Sequence, residues 1–73
     1  MQYTKLGKFI SEKRKKLNIS LNKFALENNI EPAALSRIEN LKQGIKIETL
    51  CKIANGFKTT PARLLTEFEK SFK

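Results

Sequence analysis

Apolar residues recur along this chain at intervals of three and four, and period-two alternation is nearly absent. Such spacing lines up apolar side chains on one stripe of a helix, whereas a strand alternates its faces at every residue. Valine, a strong strand former, is missing altogether. The pattern predicts an all-α fold of five short helices. The first covers about Thr4 to Lys16, with Leu6, Ile10 and Leu17 on one stripe. Asn18 follows, a residue that tolerates the left-handed conformation in which helices end. Ser20 is a good N-cap for a second helix that turns Leu21, Phe24 and Ala25 inward and stops at Asn28 and Asn29.

Pro32, preorganised for the first helical position, opens a third helix that lasts to about Asn40. A loop from Leu41 to Lys46, containing Gly44, leads to a fourth helix over about Ile47 to Asn55. This helix is expected to bury Ile47, Leu50 and Ala54, and Cys51 reads as a small core residue in the same pattern. Gly56 then breaks the periodicity. Thr60 and Pro61 pair a cap with a proline at the first helical position. The fifth helix covers about 61–72, with Leu64, Leu65, Phe68 and Phe72 on one stripe. Residues 1–73 make a single domain, a compact bundle with no room for a second core.

Charge narrows the partners. Fifteen Lys and Arg against seven Asp and Glu leave a net charge of +8, a balance that suits a polyanion. Lys5, Lys8, Lys13, Arg14, Lys15 and Lys16 stand against Glu12 alone in the first helix. A membrane-surface helix is the weaker reading, because the apolar residues there suffice only for a core-facing stripe and tryptophan is absent. Neither a membrane span nor a signal peptide is expected, and one cysteine fits a reducing cytosol.

Catalysis is not expected. The chain has no histidine, the commonest general base, and one cysteine with scattered carboxylates makes no zinc site. No glycine-rich phosphate loop appears, so no cofactor, metal or small-molecule ligand is implied.

Two short helices joined by a tight turn, from Ser20 to Asn28 and from Pro32 to Asn40, have the lengths of a helix-turn-helix with Asn29 in the turn. Ala25 is small enough to let the two cross closely, and Ile30, Leu35 and Ile38 fix the pair on the core. At this level the chain resembles the Cro/CI-like helix-turn-helix family, the lambda-type phage repressors and their small bacterial relatives. The matching stretches are LGKFI at 6–10, Arg14, IS at 19–20, FA at 24–25, LSRIEN at 35–40, IETLCKIA at 47–54 and TPARLL at 60–65. They run in order and without a gap over about residues 6 to 66.

The resemblance implies a lambda-repressor-like five-helix fold and a cytoplasmic, bacterial or phage-encoded transcriptional regulator on double-stranded DNA, usually a dimer. By position, Ser20 and Leu21 fall where a phosphate meets the second helix, and Asn40 and Lys42 fall at backbone contacts beyond the third. Glu31, Pro32, Ala33 and Arg37 fall where the family enters the major groove. Arg14 and Glu39 match a family pair whose role is structural rather than DNA-reading. Leu21 replaces a common glutamine and offers a phosphate only its backbone N–H. Leu41 replaces a usual glycine, which alters the expected path of the loop after the third helix.

On a helical wheel Leu35 and Ile38 share one face of the third helix, and Ala33, Ser36, Arg37 and Asn40 share the other, with Pro32 alongside. Small residues there let the backbone approach the bases. Pro32 and Ala33 suit a thymine methyl, and Arg37 suits guanine O6 and N7. Glu31 either selects cytosine or simply favours the positive helix terminus.

The C-terminal apolar residues leave two alternatives. Phe57, Leu65, Phe68 and Phe72 form a homodimer interface, or Phe68 folds back onto the core. A rival function is an antitoxin-like adaptor whose main partner is another protein. The leading expectation is a sequence-specific repressor acting as a homodimer on a palindromic operator.

Overall fold

A computed structural model describes residues 4–40 and 44–71. They form five helices: α1 (Thr4–Lys16), α2 (Leu21–Glu27), α3 (Pro32–Glu39), α4 (Ile47–Gly56) and α5 (Pro61–Lys70). The starts follow capping chemistry. Ser20 Oγ accepts the Lys23 N–H at 3.1 Å, and Thr60 Oγ1 accepts the Arg63 N–H at 3.2 Å. Each hydroxyl satisfies a donor that the first helical turn leaves orphaned.

Three helix ends share one device. Asn18, Asn29 and Lys58 adopt left-handed φ values of 57°, 57° and 58°. Behind each, the next residue's N–H reaches back five positions: Ile19 to Arg14 O at 3.4 Å, Ile30 to Ala25 O at 2.8 Å and Thr59 to Ala54 O at 2.9 Å. These are Schellman turns, and they satisfy carbonyls that α1, α2 and α4 would otherwise leave open. Asparagine was expected at the first two. At the third the chain uses lysine.

Gly56 does not break α4 but completes it. A Cβ there would stand 2.6 Å from Asn28 Nδ2 and 2.7 Å from Phe24 Cζ, so the bare backbone lets α4 close on α2. The Phe24 ring in turn lies 4.8 Å from that of Phe57, centroid to centroid.

All five helices supply the core. Leu6 and Ile10 come from α1, Phe24 and Ala25 from α2, and Leu35 and Ile38 from α3. Leu50, Ile53 and Ala54 follow from α4 and Leu64 and Phe68 from α5, with Ile30 inserted from the turn before α3. Three expectations fail here. Ile47 is 75% exposed and Leu17 53% exposed, and Cys51 is exposed as well. Ile47 opens α4 and overhangs the core, so the stripe of that helix is Leu50, Ile53 and Ala54 instead. This stripe turns Cys51 outward. Leu17 lies beyond the last turn of α1, where the chain already bends at Asn18. Among the described residues no helix is long and apolar enough to cross a membrane.

Candidate nucleic-acid interface

The α2–turn–α3 unit is built around Ala25 and Ile30, both buried, and the turn between them is held from outside. Lys52 Nζ on α4 donates to the Asn29 carbonyl at 3.0 Å. That clip joins residues 23 apart in the chain, and no local pattern announces it. Leu21 is half-buried and packs against the core, so at that position the start of α2 offers its backbone N–H beside the exposed Ser20 rather than a polar side chain.

The far end of α3 is locked to α1. Arg14 Nε donates to Glu39 Oε2 at 2.9 Å and Nη2 donates to Glu39 Oε1 at 2.8 Å, a two-point fork. A third donor, Nη1, reaches the Ile19 carbonyl at 2.7 Å, tying in the turn between α1 and α2. Both side chains are buried, 8% and 5% exposed, and no buried polar side-chain atom among the described residues lacks a partner. Hydrogen bonding to Glu39 raises the Arg14 pKa above its ordinary value, with the carboxylate's charge acting in the same sense and burial opposing. Nε, Nη1 and Nη2 all donate within the fold, which suits a structural clamp.

With Leu35 and Ile38 buried, α3 turns Glu31, Ala33, Arg37 and Asn40 to solvent, with Pro32 and Ser36 half-buried beside them. Arg37 takes part in no side-chain hydrogen bond or ion pair among the described residues. Glu31 occupies the N-cap position of α3 without a side-chain cap bond. Asn40 is less available than its position suggests. Its Nδ2 donates back to the Ser36 carbonyl at 2.9 Å and to Ser36 Oγ at 3.2 Å. The Ser36 hydroxyl keeps its own proton for an outside acceptor. Lys42 and Leu41 lie outside the described residues.

The residues expected at a dimer interface divide. Phe68 is 1% exposed and packs on Phe9, ring centroids 5.5 Å apart at 57°. It lies in the core, where it packs between α1 and α5. Phe57 and Leu65 are half-buried against the core, and Lys13 Nζ stands 5.5 Å above the Phe57 ring. Phe72 lies outside the described residues. Among the described residues no group of three or more His, Cys, Asp or Glu could hold a metal ion.

No characterised protein and no solved structure matches the chain. The family model for helix-turn-helix matches residues 10–64, from the buried Ile10 of α1 to the buried Leu64 of α5. With this match and the two-helix unit held by its own clamp, the chain belongs to the helix-turn-helix family of Cro/CI-type DNA-binding transcription regulators.

Proposed function

We propose that the protein is a repressor that binds a palindromic operator as a homodimer. The observation that carries this reading is the outward face of α3: one exposed, unpaired arginine among small residues, on a helix clamped at its end by Arg14 and Glu39. Pro32 and Ala33 let the backbone come near the base edges and meet thymine methyls, and Arg37 pairs with a guanine. Ser36 donates its hydroxyl to a base edge, and Glu31 favours the positive start of α3. Ser20, the Leu21 N–H, Lys42 and Asn40, whose amide must first leave Ser36, hold the phosphates on either side, which fixes register without adding sequence information.

So sparse a reading face favours two copies. One helix-turn-helix module has few base contacts, and a two-fold dimer doubles them on half-sites one helical turn, about 34 Å, apart. With Phe68 in the core, Phe57 and Leu65, both half-buried, offer their outer edges to such an interface together with Phe72. Occupying a promoter is enough to block transcription, so repression requires nothing of the chain beyond binding. The site of action is the nucleoid.

Selection of bound sequences from random DNA tests the reading directly. The expected product is an inverted repeat with a guanine in each half-site. Recovery of sequences without two-fold symmetry would rule out the dimer on a palindrome.

A further inference from the structure

Helix α1 has two working sides. Leu6, Ile10 and Arg14 form its buried stripe, and Arg14 carries the bond to α3. At 100° per residue, Glu12 and Lys16 stand about 160° round the helix from Arg14. That far side and α5 wall a groove of about 440 Å³, whose lining includes Lys8, Phe9, Glu12, Lys13, Lys16 and Glu67. Its floor is aromatic, where the half-buried Phe9 meets Phe68. Lys13 is committed within it, bonding Glu67 Oε1 at 2.9 Å. Lys8 and Lys16 are exposed and take part in no hydrogen bond or ion pair among the described residues.

The spacing selects among anions. Lys8 and Lys16 are two turns apart, about 12 Å along the axis, which suits an elongated segment better than a compact ligand. Glu12 lies between them in sequence, and Glu67 stands on the same lining. Glu67 is compensated by Lys13, but a phosphodiester chain, charged at every nucleotide, would set a phosphate against Glu12 between the two lysines. A peptide with separated acidic residues can set one on each lysine and leave Glu12 facing a neutral side chain.

We propose that this groove docks an acidic segment of a protein partner, with carboxylates on Lys8 and Lys16 and an apolar side chain on Phe9, while α3 holds DNA on the opposite side of α1. The docking stands apart from DNA reading; simultaneous occupancy rests on it.

Titration of the isotope-labelled full chain tests the proposal. The probes are a short peptide of interspersed glutamates and leucines, a lysine–leucine counterpart and single-stranded oligothymidine. The glutamate peptide is expected to shift the amide signals of Phe9, Lys16 and Glu67 and to leave those of Ala33–Glu39 in place. Lys8→Gln combined with Lys16→Gln is expected to weaken it about tenfold, two exposed pairs' worth. The ratio of preferred-site to random-DNA affinity should not change. The proposal is overturned by no shift in the groove, by shifts on α3 instead, by oligothymidine displacing the peptide, or by wild-type affinity in the double variant. A wild-type chain that fails to discriminate between DNA sequences would strike the reading of α3 and leave the groove signals as a separate result.

Discussion

The Arg14 guanidinium and the Glu39 carboxylate meet as a pair of hydrogen bonds of 2.9 and 2.8 Å across 25 residues of chain, with both side chains largely buried. Planar fork-to-fork pairing fixes orientation as well as distance, so this contact sets how α3 sits against α1. It makes the reading helix part of the scaffold.

Removing one partner should therefore be severe. Arg14→Met or Glu39→Leu leaves a buried charge without compensation, and a loss of about 3–5 kcal/mol is expected in urea unfolding. The double replacement should recover part of it, limited by the Ile19 carbonyl that Arg14 also satisfies. Because the Arg14 pKa is raised in the fold, its contribution is complete below arginine's ordinary pKa and is lost only as pH rises through the raised one. Stability traced to this group should stay level from neutral to moderately alkaline pH. A double variant no more stable than the singles would argue against a mutual clamp.

Arg37→Ala addresses recognition. Binding to the preferred site should weaken by about 1–3 kcal/mol, with one base position relaxed in each half-site. Competition binding against random DNA is the check, since equal losses on both would make Arg37 a phosphate contact.

Phe68→Ala separates core from interface. A phenylalanine 1% exposed at the junction of α1 and α5 should cost about 3–5 kcal/mol of fold stability when truncated. Denaturation of the variant should depend on that loss at every protein concentration. A variant that keeps its melting temperature and merely dissociates would restore Phe68 to the dimer interface.

Lys58 holds a left-handed conformation that costs a non-glycine residue roughly 1 kcal/mol. Lys58→Gly should raise the thermal midpoint, whereas Lys58→Ala, which removes the same charge but keeps the Cβ, should not. Equal behaviour of the two would trace the effect to charge.

Much of this fold was legible because its signals are local. Ser20, Pro32 and the Thr60–Pro61 pair announce helix starts within a few residues of themselves, and Asn18 and Asn29 announce two of the ends. Periodicity was less decisive in α4. Ile47, Leu50, Cys51 and Ala54 make as regular a stripe as Leu50, Ile53 and Ala54, and only the position of α2 and α5 selects the second. Long-range contacts left weaker traces. Arg14–Glu39 was reachable through a family resemblance, and the Lys52 clip on Asn29 carried no signal in either α4 or the turn. Phe68 stood open between interface and core, because a stripe on a terminal helix does not say what covers it.

The close approach at Gly56 turns three positions into one choice. A side chain at 56 would stand 2.6 Å from the Asn28 amide and 2.7 Å from the ring at 24. Among descendants of this chain, alanine at 56 should accompany smaller residues at both 24 and 28, and the change at 56 alone should be harmful. Sequence drift across the α2–α4 contact is thereby forced to move as a set.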